Sequence, residues 1–332
     1  MEIGFFFWPF SADLIRRMAA FGERFGFDMV GVADTPGNAM DPWVAVTVLA
    51  QAVARPRVAV CVTNLTTRHP AVSAASIASL DSIADGRAVL GIGAGHSGTR
   101  NLGVRSSNAR QMREGVRFIK ELLRGRPASY KGRTAHLPWV KRPPKVFLAG
   151  SHPPTLEAAG AVADGAFINY GLGAENVRES EGIVARAAAA AGRAPSEVEA
   201  WQIACMDCSE DGETSRRKIG AILAFVAAYI IGKGDPAKRG VPEEFRRPLV
   251  ELRERYSTRP GEADIRLVEE LGLFDYLARR LAVCGTPEEC LEQVRAARAA
   301  GARRLMFSVS LAADPPRTVE LFGERVLPAL RS

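Results

Sequence analysis

Short runs of apolar residues, rich in β-branched side chains, alternate along the chain with longer segments in which apolar residues recur every three or four positions. The stretch at residues 58–98 shows this pattern most clearly. Residues 58–62 form an apolar run that is typical of a strand buried on both faces of a parallel sheet. Pro70 and Gly86 mark the start and end of a helix, and residues 88–92 form the next apolar run. This order predicts a βαβ unit whose right-handed crossover places both loops after its strands on the same side of the sheet.

The helix inside this unit has an apolar face formed by Ile77, Leu80 and Ile83. Because these residues recur at three-residue intervals, we expect this face to lie against the sheet. Asp81 and Asp85 fall between them and are expected to point into solvent.

Apolar runs of this kind alternate with helical segments over the whole chain. The alternation favours a single α/β domain, residues 1–332, folded as a (β/α)8 TIM barrel. Residues 213–277 are helical and irregular, and we interpret them as a helical insertion between strand 7 and the last βα unit. The eight predicted strands are residues 3–7, 28–33, 58–62, 88–92, 146–149, 166–169, 198–206 and 304–309.

A doubly wound sheet is the competing fold, because the run GIGAG at residues 91–95 could belong to a dinucleotide-binding protein. That run does not follow the first strand, and it lacks the third glycine at the required spacing. The barrel is therefore the preferred interpretation.

Composition and charge narrow the classes of partner. A chain of 332 residues with 47% hydrophobic and 24% charged residues can bury a large core. The net charge is +7, but the arginines are spread through the helical segments, so we expect an anionic cofactor or substrate and no nucleic acid. The amino-terminal residues have neither a signal-peptide pattern nor a membrane-spanning length, so we expect a cytoplasmic protein without a membrane partner.

Neither the cysteines nor the histidines predict a metal site. Cys205 and Cys208 have CxxC spacing, but no second pair completes a tetrahedral set of ligands. The four histidines show no HxH or HxxxH spacing.

The run TNLTTRHPAVSAASIASLDSIADGRAVLGIGAGHSGTRNLGV at residues 63–104 resembles the bacterial luciferase-like flavin oxidoreductase superfamily. Its TN..TRHP element is most similar to the branch that depends on coenzyme F420, such as the methylenetetrahydromethanopterin reductases. Two later runs, PKVFLAGSHPPTLEAAGAVADGAFIN and CGTPEECLEQVRAARAAG, fit the same superfamily.

The resemblance implies an oxidoreductase that transfers a hydride between coenzyme F420 and a small organic substrate. The alternative is a luciferase-like monooxygenase that uses reduced FMN and O2 together with a separate flavin reductase. A second alternative is a non-catalytic barrel that binds a flavin or another ligand. We also expect a homodimer, and residues 213–277 are expected to form a lid or a dimer contact.

Chemistry in a TIM barrel is concentrated at the carboxyl ends of the strands. Asp34 and His96 lie at such ends and are the two candidates for proton transfer. The other residues expected at these strand ends are Phe7, Trp8, Thr63, Asn64, Gly95, Gly150, Ser151, Asn169 and Tyr170.

A phosphate group needs backbone donors without a side chain in the way, together with hydroxyls. Gly150, Ser151 and Thr155 offer these at the start of a helix, although ordinary turn chemistry would use the same residues. The resemblance adds Gly93, Gly95, Ser97, Gly98 and Thr99 from the glycine-rich loop. It also implies a cis peptide bond between Cys61 and Val62 behind the cofactor ring, with Thr63 and Asn64 at the polar edge of that ring.

Overall fold

The structure is a computed structural model that describes residues 1–231, 234–256 and 262–331. Its strands are β1 (Glu2–Phe7), β2 (Met29–Val32), β3 (Arg57–Asn64), β4 (Ala88–Gly93), β5 (Ala128–Tyr130), β6 (Arg133–Ala135), β7 (Lys145–Gly150), β8 (Gly165–Ile168), β9 (Glu199–Cys208), β10 (Ala282–Gly285) and β11 (Arg304–Ser308). Its helices are α1 (Ala12–Phe25), α2 (Pro42–Ala52), α3 (Pro70–Ile83), α4 (His96–Asn101), α5 (Ala109–Leu123), α6 (Pro153–Val162), α7 (Ala174–Ala190), α8 (Gly212–Val226), α9 (Glu243–Arg255), α10 (Glu262–Glu270), α11 (Phe274–Leu281), α12 (Pro287–Ala299), α13 (Pro315–Leu321) and α14 (Leu327–Arg331).

Eight parallel strands close into a barrel. Strands β1, β2, β3, β4, β7, β8, β9 and β11 each pair with the next, and β11 pairs back with β1. Helices connect the successive strands, so the predicted (β/α)8 TIM barrel is confirmed. Each predicted strand overlaps an observed barrel strand, with its ends shifted by no more than two residues.

Four short elements were not predicted. Strand β10 pairs in parallel with the outer half of β9, where Ala282 lies opposite Cys205. Strands β5 and β6 form a two-stranded antiparallel hairpin in a segment that reads as a loop. Helix α4 occupies the loop after β4. Each of these elements has six residues or fewer, which is too short for hydrophobic periodicity to reveal it.

The expected orientation of α3 was wrong in its last turn. Ile83 is 49% exposed, whereas Asp81 is buried. The Asp81 carboxylate accepts a hydrogen bond from the Ala88 backbone N–H at 3.1 Å and forms an ion pair with Arg142. Asp81 faces inward because the chain returns to the barrel directly after the helix, and the first N–H of β4 needs an acceptor there.

Alternate side chains of β1 point to opposite sides of the barrel wall. Phe5 and Phe7 are fully buried among the surrounding helices, whereas Phe6 packs inside the barrel with Phe147, Phe167 and Trp201. Of the two residues expected to wall the pocket, Trp8 lines it and Phe7 does not, and the strand period of two explains why Phe6 lines it in place of Phe7.

A charged network closes the amino-terminal end of the barrel. Glu199 forms ion pairs with Arg57 at 2.8 Å and with Lys145, and its carboxylate also accepts a hydrogen bond from the Trp201 indole. Burial acts to raise the pKa of Glu199, but the bonds from Lys145 and Arg57 outweigh it and lower that pKa to about 2. The charged network and the aromatic layer above it lie at this end, and the cavity opens at the carboxyl ends of the strands.

Helices α8 to α11 pack together as a second apolar cluster beside β10. Leu223, Leu249, Val268 and Leu277 are buried in it. Much of the predicted insertion at residues 213–277 is therefore folded as helices, while residues 232–233 and 257–261 lie outside the described residues. None of the helices within the described residues has the length and apolar character needed to cross a membrane.

Candidate active site

A cavity of about 590 Å³ opens at the carboxyl ends of the barrel strands. Residues at the ends of β1, β3, β4, β7 and β9 form its floor, and residues of α8 and the chain after it form part of its roof. Within the described ranges, histidine, cysteine, aspartate and glutamate side chains form no cluster of three or more that could hold a metal ion.

The structure brings most of the predicted site residues to this cavity and leaves four of them behind its wall. The residues that line it are Asp34, Cys61, Val62, Gly93, Gly95, His96, Ser97, Gly98, Gly150, Ser151, Thr155 and Asn169. The four that do not line it are Thr63, Asn64, Thr99 and Tyr170.

Asp34 is a half-buried carboxylate at the edge of the cavity. The Thr63 hydroxyl donates a 2.6 Å hydrogen bond to its Oδ2 atom, which holds the carboxylate in one orientation. Burial raises the pKa of Asp34 above its ordinary value; the Thr63 hydrogen bond and the positive charge of Arg68 oppose this rise, and the negative charge of Asp41 adds to it. A carboxyl group whose pKa is raised in a cavity is suited to general acid or base chemistry.

Asn64 and Thr99 hold the loops of the site in place. The Asn64 side-chain carbonyl accepts hydrogen bonds from the backbone N–H groups of Thr66 and Thr67 at 2.9 and 2.8 Å. The Thr99 hydroxyl is hydrogen-bonded to the Gly95 carbonyl and, at 2.9 Å, to the Ser106 hydroxyl. Both side chains are buried, so they shape the loops that reach the cavity while lying outside its surface.

The glycine-rich loop after β4 depends on the absence of side chains. A Cβ atom at Gly93 would lie 2.6 Å from Cγ2 of Val62. Gly95 has a φ of +90°, and a Cβ atom there would lie within 3 Å of the Asn64 and Thr99 side chains. His96 follows directly as the first residue of α4, which places its imidazole at the cavity wall.

The Cys61–Val62 peptide bond is cis, as the resemblance to the luciferase-like superfamily implied. Both residues line the floor of the cavity, where Ala149 and Ile203 add apolar surface. A planar aromatic ring system fits against such a floor because its faces are apolar.

The loop after β7 has some of the groups expected at a phosphate site and lacks others. A Cβ atom at Gly150 would lie 2.9 Å from the Thr155 hydroxyl, so this close approach requires glycine. The hydroxyls of Ser151 and Thr155 and the Ser151 backbone N–H lie here, and that N–H approaches the Thr155 Oγ1 atom at 3.3 Å. Pro153 and Pro154 begin α6 and have no N–H, so the helix start supplies fewer amide donors than a helix amino terminus normally offers.

Tyr170 is turned away from the cavity. Its ring is buried, and its backbone carbonyl accepts a 3.1 Å hydrogen bond from the Arg280 guanidinium. Asn169, one residue earlier, does line the cavity. Adjacent residues at a strand end face opposite sides, so only one of the two predicted residues can reach the site.

The sequence interpretation missed the residues that the insertion contributes. Ile222, Phe225 and Val226 of α8 line the cavity, and so does Arg239, which donates a hydrogen bond to the Ser151 carbonyl at 3.3 Å. A short cationic turn, DPAKRG, marks the Arg239 segment in the sequence. Nothing in that turn indicates which strand end it reaches.

Comparison with known proteins agrees with the architecture. The family described as Luciferase-like monooxygenase matches residues 6–304. The 5,10-methylenetetrahydromethanopterin reductase of Methanolobus tindarius is 27% identical over 98% of this chain and 100% of its own length. The F420-dependent glucose-6-phosphate dehydrogenase of Amycolatopsis mediterranei (strain U-32) is 27% identical over 96% of this chain and 95% of its own length.

A solved structure has the same fold. The coenzyme F420 dependent tetrahydromethanopterin reductase from Methanopyrus kandleri superposes with a TM-score of 0.80 at 21% identity, and the match covers 99% of both chains. The agreement extends from the first strand to the last, so the whole chain shares this architecture.

Proposed function

Because this chain belongs to the luciferase-like monooxygenase family, we propose that it is an oxidoreductase that transfers a hydride between coenzyme F420 and a small organic substrate. The observation that carries the proposal is the similarity, over nearly the whole chain, to an F420-dependent dehydrogenase and to a methylenetetrahydromethanopterin reductase. The cavity supports the proposal, because it combines an apolar floor, a glycine-rich loop along one side and a carboxylate with a raised pKa.

Each part of the site has a role in this reaction. Hydride transfer is the chemistry that bound coenzyme F420 supplies. Cys61 and Val62 provide the apolar surface for the ring, and Gly150, Ser151 and Thr155 provide the place for the phosphate group. Asp34 takes or gives the substrate proton, while Thr63 fixes the orientation of the carboxylate.

A monooxygenase that uses reduced FMN remains the second candidate function. It is favoured by the description of the matching family and by an apolar floor that would accept either ring system. Such an enzyme would need a separate flavin reductase as its partner. A barrel that binds a flavin without catalysis would use the same floor but would have no need of Asp34.

Equilibrium titration of the purified protein with coenzyme F420 and, in parallel, with FMN tests the proposal. We expect tight binding of coenzyme F420, detected as a change in its fluorescence, and weaker binding of FMN. Tight binding of FMN alone would favour the monooxygenase. Turnover should then be sought with methylenetetrahydromethanopterin, glucose 6-phosphate and a small secondary alcohol, and binding without turnover of any organic substrate would favour a ligand-binding barrel.

The insertion is best explained as a lid over this cavity. Residues on α8 and in the following turn form part of the cavity wall, so movement of this segment would open or cover the site. Arg216, Arg217 and Lys218 on α8 are exposed and offer cleavage sites for trypsin. We expect saturating coenzyme F420 to slow tryptic cleavage in residues 213–277; identical cleavage patterns with and without the cofactor would contradict a lid.

Helices α2 and α3 offer the surface for a homodimer. Val44, Val72 and Ile83 are about half exposed on these adjacent helices. The only charged residue of either helix is Asp81, which is buried. An uncharged face of this kind is typical of a surface covered by a second copy of the same chain. Light scattering is expected to give the mass of a dimer, and a monomer mass at micromolar concentration would contradict it.

A further inference from the structure

We propose that Arg239, delivered by the insertion, recognises the phosphate group of the bound cofactor. This inference rests on the proposed function and assigns a specificity-determining contact to a residue outside the barrel. Arg239 lies at the cavity wall beside Ser151 and is only 9% exposed. Its guanidinium donates to the Ser151 carbonyl at 3.3 Å, which places a buried positive charge next to the loop that fits a phosphate.

The loop after β7 is short of donors for an anion. Pro153 and Pro154 remove two backbone N–H groups from the start of α6, and the Thr155 N–H donates to the His152 carbonyl at 3.0 Å. Hydroxyls and the Ser151 N–H alone would leave a phosphate with few charge-assisted hydrogen bonds. A guanidinium supplies several donors in one plane together with a full positive charge.

The backbone that carries Arg239 is held in place by a second buried arginine. Arg280 is 4% exposed and donates hydrogen bonds to the backbone carbonyls of Arg239 and Gly240 and to the Tyr170 carbonyl. It also donates to the Tyr276 hydroxyl. All four acceptors are neutral oxygen atoms. The bonds therefore fix the turn, and none of them neutralises the positive charge of Arg280.

The local electrostatics favour a bound anion. Burial lowers the pKa of Arg239, the Tyr170 hydroxyl opposes this, and the positive charges of Arg280 and Arg253 lower it further. Among the described residues, Glu179 places a carboxylate on the side of the Tyr170 hydroxyl and Gly240. An anionic group in the cavity would relieve the repulsion among the arginines.

Binding of two cofactor pairs tests the assignment. Coenzyme F420 carries a phosphate with a lactyl-oligoglutamate tail attached to it, whereas its precursor has the same deazaflavin ring and sugar alcohol without either group. We expect Arg239→Gln to weaken binding of coenzyme F420 by about tenfold to a hundredfold, because a charge-assisted contact is lost, and to change binding of the precursor less than about twofold. Arg239→Lys should keep part of the affinity, since it keeps the charge.

Arg247→Gln is the matched control, because Arg247 is an exposed arginine in the same insertion. It should leave both affinities unchanged, which separates a local contact from a general effect of net charge. Equal weakening of coenzyme F420 and of its precursor by Arg239→Gln would show a structural role and overturn the proposal. Unchanged binding of coenzyme F420 would overturn it as well.

Failure of the proposed function gives a different result. If the unaltered protein binds neither deazaflavin, FMN and riboflavin serve as the second pair, because these two molecules differ by one phosphate alone. Loss of FMN affinity alone in Arg239→Gln would support the phosphate contact while rejecting coenzyme F420 as the cofactor. Failure of the unaltered protein to bind any of the four molecules would overturn both proposals.

Discussion

Replacing Asp34 with asparagine is expected to lower kcat by about a hundredfold to ten-thousandfold, the usual contribution of a positioned general acid or base. Asparagine keeps the size of the side chain and can still accept the Thr63 hydrogen bond, but it cannot exchange a proton with the substrate. Affinity for coenzyme F420 should change little, because Asp34 is not among the groups that hold the phosphate. Steady-state kinetics and cofactor titration of the same variant measure the two effects separately.

The pH dependence gives Asp34 a second signature. Burial raises the pKa of Asp34, so in the direction that uses its carboxylate, kcat should be constant at high pH and fall as the pH drops through this raised pKa. In the opposite direction, the protonated form is required and kcat should fall as the pH rises. Thr63→Val removes a hydrogen bond that favours the carboxylate. In both directions of the reaction it should therefore shift the pH at which kcat falls to a higher value.

The exposed carboxylate Asp85 provides the control for this experiment. Asp85→Asn changes the net charge by the same amount, and it should alter neither kcat nor the pH at which kcat falls. Activity of Asp34→Asn close to that of the unaltered enzyme would rule out a catalytic role for Asp34 and leave His96 as the candidate for proton transfer.

Replacing Gly93 with valine is expected to weaken binding of coenzyme F420 by about a hundredfold. A Cβ atom at this position would lie 2.6 Å from Cγ2 of Val62, so the Val62 side chain must move from its place on the cavity floor. Gly93 is not among the glycines with positive φ, so valine can adopt its backbone conformation. The expected effect therefore comes from the steric clash with Val62. The displaced Val62 side chain would then occupy space that the ring needs, and a loss of about 2.7 kcal/mol in binding free energy corresponds to about a hundredfold in affinity.

A second glycine separates this effect from general destabilisation. At Gly182 an added Cβ atom would meet only the guanidinium end of Arg186, which can move aside. Gly182→Val should therefore bind coenzyme F420 as the unaltered protein does. Circular dichroism and thermal unfolding should show that Gly93→Val is folded, and unchanged cofactor affinity in that folded variant would refute the assigned position of the ring.

Candidate catalytic positions could be predicted from the sequence where a strand end alone determines them. Asp34 follows the apolar run of β2, and Gly150 follows that of β7, so the barrel arrangement itself places both at one rim. The prediction was less accurate one residue further on. Asn169 reaches the cavity whereas Tyr170 turns away from it, because a shift of one position at a strand end reverses the direction of a side chain.

Residues that act through the folded loops could not be assigned in the same way. Thr63 and Asn64 were expected at the cofactor edge, but their side chains bond to Asp34 and to the loop backbone at Thr66 and Thr67. These partners lie in the loop after a neighbouring strand or in the next turn. A hydroxyl or an amide can bond either to a cofactor or to a neighbouring protein group. Only its distances in the folded structure distinguish the two roles.

The sequence by itself determined the order of strands and helices, the closure into a barrel and the rim at which the polar strand ends meet. Those features follow from hydrophobic periodicity and from the handedness of βαβ units, which are local properties of the chain. The tertiary structure alone decided that Arg239 stands beside Ser151 and that Asp81 is buried. Arg239 and Ser151 are 88 residues apart, and Asp81 is held by the Ala88 N–H after its helix and by Arg142, 61 residues away. Hydrophobic periodicity does not reveal such polar contacts.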